Sequence, residues 1–230
     1  MITVHELRRR WKPHKDRLVA ERPAHPTPIR FHRAFSWLAR VERLEEADVD
    51  LALISQWVAL NALYGQWNSL AGMAVGDRES WRVFLDRVVD LDTDQLIARV
   101  LLDHQRLARS ILEDAYLSDL FWQEPEAGAQ STVQATVRAT ARRMRSNAQM
   151  WYFEKRYKLI LDQVVERIYL MRCQLIHGAA TYGGKLNRRS LRHCATMLKH
   201  LIPALFLVLI ERGADEDWGI MCYPPLEPER

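Results

Sequence analysis

Apolar residues recur at helical spacing along most of the chain, and the clearest pattern runs from Met150 to Gly178. Steps of three, four and seven residues place side chains on one face of a helix. The positions of this face are Tyr157, Leu161, Val164, Ile168 and Leu175, widened by Ile160, Val165 and Met171. The pattern predicts one long helix over 150–178, and Gly178 is a residue well suited to end it.

The same periodicity predicts helices in the other long segments, and alternating strand patterns are nearly absent. The predicted helices lie at 4–20, 29–46, 48–67, from Asp77 onward, within 93–122 and at 188–212. The first is basic and is expected to be exposed. We therefore predict an all-α protein with an N-terminal basic helix and proline-rich linker at 1–28, a helical domain at 29–212 and a loosely packed tail at 213–230.

Composition narrows the class of protein without identifying a function. A chain of 230 residues with 48% apolar content is long enough for one globular domain, and its net charge of +4 permits a polyanionic partner. None of the three cysteines forms a CxxC pair, which favours a reducing compartment. The N-terminus has no apolar signal region, and the longest apolar run, Leu201–Ile210, is too short to span a bilayer. We expect a cytoplasmic protein without membrane contact.

Arg172 interrupts the apolar face of the helix at 150–178, between Ile168 and Leu175. Burying an unpaired charge is costly, and arginine does not deprotonate to avoid that cost. The position therefore predicts an anionic partner, either a carboxylate or a phosphate. His177 follows five residues later, close to the end of the helix.

Two residues five positions apart on a regular helix point about 140° apart, with a rise of roughly 7.5 Å between their Cα atoms. Arg172 and His177 therefore do not form a tight pair within one regular helix. Three arrangements remain open. The helix ends before His177, the two residues serve separate structural roles, or a second copy of the chain completes a joint site at a twofold axis.

Imidazole and guanidinium together suit the cleavage of RNA without a metal. Histidine titrates near neutral pH and can move a proton at the 2′-hydroxyl or at the leaving oxygen. Arginine can hold the phosphate bidentately and stabilise its developing charge. A helix of this length also contains such a pair by chance, so a purely structural role stands beside the catalytic one.

The sequence RCQLIHG at 172–178, late in an all-α chain, resembles the R-x4-6-H motif of the HEPN superfamily (higher eukaryotes and prokaryotes nucleotide-binding domains). The segments FSWL at 35–38 and WVALNALYG at 57–65 resemble the front helices of prokaryotic HEPN proteins, especially the Apea-like group. The resemblance covers about residues 29–212. It implies a helical bundle with long antiparallel helices that commonly dimerises, and many such proteins are metal-independent endoribonucleases of toxin–antitoxin or antiphage systems.

Carried onto this chain, the resemblance assigns phosphate orientation to Arg172 and proton transfer to His177. Active members often carry asparagine or another polar residue after the arginine, where this chain has Cys173. This departure favours the alternative of a non-catalytic module that binds nucleotide, RNA or a protein partner. A third alternative is a scaffold in which an acidic side chain from another helix pairs with Arg172.

The expected partners are RNA, a second copy of the chain, and an antitoxin or defence-system protein. We expect no cofactor and no metal, because the spacing of the cysteines and histidines matches no common zinc motif. Beyond the two catalytic candidates, the side chains predicted to contact RNA are Lys185, Arg188, Arg189, Gln174 and Asn61.

Overall fold

The computed structural model describes residues 2–118, 130–185 and 187–224. Within these ranges the regular secondary structure is helical apart from two short strands, which confirms the all-α prediction. The helices are α1 (Val4–Glu21), α2 (Thr27–Val41), α3 (Val49–Tyr64), α4 (Asp77–Leu91), α5 (Leu96–Asp103), α6 (Gln105–Leu112), α7 (Gln130–Phe153), α8 (Tyr157–Ile176) and α9 (Arg188–Arg212), with a 3₁₀ turn at Ala115–Leu117. The end of the helical region predicted within 93–122, from residue 119, and the end of the predicted tail, 225–230, lie outside the described ranges.

A short hairpin lies between α3 and α4. Its strands β1 (Trp67–Asn68) and β2 (Met73–Ala74) pair antiparallel. The Asn68 side chain accepts the backbone N–H groups of Leu70 and Ala71 and so closes the turn, and Gly72 supplies the positive φ that the turn needs.

Helix α9 lies at the centre of the bundle and packs against α1, α3, α4, α5, α6 and α8, and its Phe206 also stacks on Phe35 of α2. It is continuous through Pro203, so this proline does not break it. By length and composition α9 is also long and apolar enough to cross a membrane, and 67% of the relevant window is buried inside the bundle. Its position in the core of the fold accounts for its apolar composition.

Helix α1 packs into this core instead of lying exposed as predicted. Leu7, Trp11 and Leu18 are buried, and Trp11 stacks on Phe31 of α2 with ring centroids 4.1 Å apart. The proline-rich linker predicted after this helix, within residues 1–28, is also shorter than expected. Helix α2 already begins at Thr27, because a proline is well accommodated in the first turn of a helix.

The segment after α9 is held against the bundle, where we expected a loosely packed tail. Trp218 is buried, and the carbonyls of Trp218 and Gly219 accept hydrogen bonds from the guanidinium of Arg30. The same guanidinium also donates to the carbonyls of Leu63 and Gly65, at 2.9 and 2.8 Å. Burial lowers the pKa of Arg30 to about 10. One buried arginine thus joins α2, the end of α3 and the segment after α9.

The helix predicted over 150–178 is two helices, and the break between α7 and α8 falls at Lys155. This residue has a positive φ of 56°, and the N–H of Arg156 bonds to the carbonyl of Trp151 to close α7. Nothing in the local sequence indicates the break, because neither glycine nor proline is present there. The other end agrees with the prediction, since α8 stops at Ile176 and Gly178 adopts a positive φ of 73°.

Candidate functional site

Arg172 lies on α8 at the edge of the apolar face, and its side chain is 23% exposed. Its guanidinium lies over two aromatic rings, with its central carbon 5.9 Å from the ring centroid of Trp57 and 5.8 Å from that of Tyr169. Such cation–π contacts are favourable and leave the guanidinium edge available for hydrogen bonding. Arg172 is therefore held between α3 and α8 without being sealed from solvent.

The anion that meets Arg172 within the chain is Asp77, the first residue of α4. Its Oδ2 lies 3.4 Å from Arg172 Nη1, while its Oδ1 accepts hydrogen bonds from the Tyr64 hydroxyl at 2.5 Å and from Asn61 Nδ2 at 3.1 Å. We call these four residues the Arg172 cluster: Asn61, Tyr64, Asp77 and Arg172. Burial raises the pKa of the Tyr64 hydroxyl well above its ordinary value, and the negative charge of Asp77 raises it further.

Asp77 is the first residue of α4 but does not cap it, because Gly76 occupies the cap position and the Asp77 side chain bends back toward α3. Its ion pair with Arg172 is longer than a charge-assisted hydrogen bond, for which about 2.8 Å is typical. No hydrogen bond reaches Asp77 Oδ2 from the described residues. The pair is therefore electrostatic. Nη1 of Arg172 donates to Cys173 Sγ at 3.9 Å, and the remaining donors of the guanidinium are available to bind a second anion.

The Arg172 cluster opens into a cleft of about 620 Å³ between α2, α3, α4 and the segment after α9. All four cluster residues line it, and so does Ser80, whose buried hydroxyl has no hydrogen-bond partner among the described residues. Arg172 is thus both paired inside the chain and accessible from a cleft of the size that holds small ligands.

His177 lies away from this cleft, although it is only five residues from Arg172. Its backbone N–H still bonds to the carbonyl of Cys173 at 2.9 Å, so the chain keeps its helical path up to the histidine. Helix α8 does end at Ile176, just before the histidine, yet His177 does not turn back to the cleft beside Arg172. The imidazole is exposed, has no hydrogen bond to another described residue and does not line the cleft. One chain does not bring the two catalytic candidates together.

Two of the predicted RNA contacts already have partners within the chain. Gln174 is buried, donates to the carbonyl of Tyr116 at 3.0 Å and accepts from Asn187 at 3.2 Å. Arg188 forms an ion pair and hydrogen bond with the buried carboxylate of Asp50. These contacts hold the loop between α8 and α9, and they give both side chains a structural task.

Lys185 and Arg189 differ from these two residues because both are exposed and form no ion pair with another described residue. They lie on the same loop-and-helix segment that follows His177. Asn61, the remaining predicted contact, belongs to the Arg172 cluster and shares Asp77 with Arg172. The structure thus places Asn61 with Arg172, and Lys185 and Arg189 on the segment after His177.

Sequence reasoning missed Asp77, Tyr64 and Tyr169 as neighbours of Arg172. Their signals are ambiguous, because an aspartate at a helix start suggests a cap and aromatic residues at helical spacing suggest a core. Among the described residues no group of three or more histidine, cysteine, aspartate or glutamate side chains is arranged to hold a metal ion.

Comparisons of the chain with protein-family models, with curated proteins and with solved structures give no match.

Proposed function

We propose that this protein is a metal-independent endoribonuclease of the HEPN type, with an active site shared between two copies of the chain. The proposal rests on the accessibility of the two catalytic candidates, Arg172 and His177. Arg172 presents unused donors to an open cleft, and His177 is exposed at the end of the same helix with its imidazole unengaged. Since they diverge on one helix, a second chain related by a twofold axis is needed to bring one of each together.

In the proposed reaction the 2′-oxygen of RNA attacks the adjacent phosphorus, and the bond from phosphorus to the 5′-oxygen breaks. His177 of one subunit accepts the 2′-hydroxyl proton, and a protonated imidazole or water supplies a proton to the departing 5′-oxygen. Arg172 binds the phosphate oxygens and stabilises their developing charge. The products are a 2′,3′-cyclic phosphate and a 5′-hydroxyl, so atoms and charge balance without a metal.

The surrounding charges support this assignment. The Lys185 and Arg189 side chains would hold the RNA backbone beside His177, and their contribution should weaken with salt because each phosphate contact releases counterions. Asp77 keeps the Arg172 guanidinium oriented while leaving donors free. A role as a toxin or antiphage effector, with an antitoxin or defence-system partner, is the wider context that we propose.

The test is cleavage of end-labelled structured and unstructured RNAs by purified protein in EDTA, with Arg172→Ala and His177→Ala alongside. We expect cleavage by the parent protein and a loss of at least about 100-fold in each variant, a typical effect of removing a general base or an oxyanion donor. Mixing the two variants should restore part of the activity if they exchange subunits, because mixed dimers contain one intact composite site. Equal activity in parent and variants would contradict the proposal.

The second candidate function is a non-catalytic module that binds a nucleotide in the cleft of the Arg172 cluster. It is favoured by the pairing of Arg172 with Asp77 and by Cys173, whose Sγ lies 3.9 Å from Arg172 Nη1. Calorimetric titration with nucleoside mono-, di- and triphosphates decides between the two. Binding that Arg172→Ala abolishes and His177→Ala leaves unchanged, without RNA cleavage by the parent, would favour this module.

A further inference from the structure

A second cavity, unrelated to the Arg172 cluster, lies between α1, α2, α3 and α9. It encloses about 680 Å³, which is within the range of small-molecule pockets. Its walls are mainly aliphatic, with Leu7 from α1, Leu38 from α2, and Leu198 and Ile202 from α9. We call it the α1–α9 pocket. Apolar walls of this kind favour a ligand with an aliphatic body.

Gln56 of α3 also lines this pocket and is a buried polar side chain among its mainly aliphatic walls. The residue is only 3% exposed, and its Oε1 has no hydrogen-bond partner among the described residues. An unsatisfied buried amide oxygen is costly, and buried polar groups in folded proteins almost always have a partner. The partner that a ligand would bring to Gln56 Oε1 is an N–H or O–H donor.

Charged groups at the rim carry both signs. Arg192 and Lys199 come from α9, while Glu42, Glu45 and Glu46 come from the end of α2 and the connection to α3. A rim of mixed charge does not select for a net charge on the ligand. We propose that the α1–α9 pocket binds a small uncharged molecule with an aliphatic body and a primary amide, whose amide pairs with the side chain of Gln56.

A primary amide is the best match because it presents an N–H donor and a carbonyl acceptor on one edge. The side chain of Gln56 offers the complementary pair, so two parallel hydrogen bonds can form. An alcohol would supply one such bond and an alkyl ketone would supply no donor. The amide group of the ligand therefore sets its orientation, and the aliphatic walls supply the burial.

Heptanamide and 2-octanone form a matched pair of probes, since they have the same number of non-hydrogen atoms and differ by an amino group in place of a methyl group. Binding is measured by ¹H–¹⁵N chemical-shift titration of the full chain. We expect heptanamide to bind with a Kd on the order of 1 mM, as suits so small a ligand, with shifts concentrated in the four helices of the pocket. Heptanamide should bind about 5- to 10-fold more tightly than 2-octanone, the effect of one net hydrogen bond.

Gln56→Leu should remove this preference, because it takes away the acceptor that only the N–H of heptanamide can use. Gln163→Leu, the same substitution on α8 outside the pocket, is the control and should preserve it. Ala195→Leu fills the pocket from α9 and should abolish binding of both probes. If this variant fails to fold, Ala52→Leu fills the pocket from α3 and should have the same effect. The proposal is overturned if heptanamide causes no chemical-shift changes at a concentration 10-fold above the expected Kd. It is also overturned if Gln56→Leu binds both probes as the parent protein does.

Discussion

The Arg172 cluster makes a quantitative prediction about Asp77, which accepts two hydrogen bonds and pairs with a half-buried arginine. Replacing it with asparagine keeps the shape and one acceptor but removes the negative charge. The hydrogen bonds from Tyr64 and Asn61 become neutral, at a cost of about 1 kcal/mol because charged hydrogen bonds are roughly twice as strong. Arg172 also loses its carboxylate in a site that is only about one-fifth exposed, which costs about 1 kcal/mol more.

Asp77→Asn should therefore lower the free energy of unfolding by about 2 kcal/mol. In a chain of this length that corresponds to a decrease in Tm of roughly 4–8 °C. Urea denaturation followed by circular dichroism measures the change, with the slope m expected to stay constant. The control is Asp86→Asn on the same helix, whose ion pair with Lys158 is about half exposed at both ends and should contribute less than about 0.5 kcal/mol.

A double-mutant cycle shows whether the effect comes from the cluster. Tyr64→Phe removes the hydroxyl that bonds to Asp77, and the two substitutions should couple by about 1 kcal/mol because the groups are in contact. If Asp77→Asn costs no more than Asp86→Asn, or if the two cluster substitutions are additive, Asp77 does not stabilise the fold through Tyr64 and Arg172.

Two further predictions concern stability. Gln56→Leu should raise the free energy of unfolding by about 1 kcal/mol, because it removes an unsatisfied buried amide oxygen; a fall would show that the amide has a partner in the folded protein. Burial lowers the pKa of His25, His193 and His200 below 6.5, and for His200 the stacked His104 lowers it further. The unfolded chain then binds more protons, so stability should fall as the pH decreases below about 6.5, and His200→Phe should lessen that slope in urea titrations between pH 5 and 7.

The part of the site that was predictable from sequence is the chemical requirement at Arg172. A cation within an apolar stripe must meet an anion, and this expectation holds for any fold in which α8 is buried. The identity of the anion was not predictable. Asp77 lies far away in sequence, and an aspartate at the start of a helix has the pattern of a cap whether or not its side chain turns elsewhere.

The internal partners of Gln174 and Arg188 were likewise not predictable from the sequence. Both belong to a polar segment beside the motif, and this composition suits an RNA surface as well as a set of internal contacts. Only the fold brings Tyr116 and Asn187 to Gln174, and Asp50 to Arg188. The break at Lys155 was also invisible, because a positive φ at a lysine is imposed by the packing of α7 and α8 and not by local preference.

The sequence by itself determined the helical class, the buried face of α8 and its end at Gly178, because hydrophobic periodicity and glycine preference act over a few residues. The tertiary structure alone decided that α1 and the segment after α9 belong to the core, and that Asp77 meets Arg172. It also decided that Arg172 lines the cleft while His177 does not, and that Gln56 lies unpaired in an apolar pocket. These outcomes depend on contacts between distant segments, whose energies no local pattern contains.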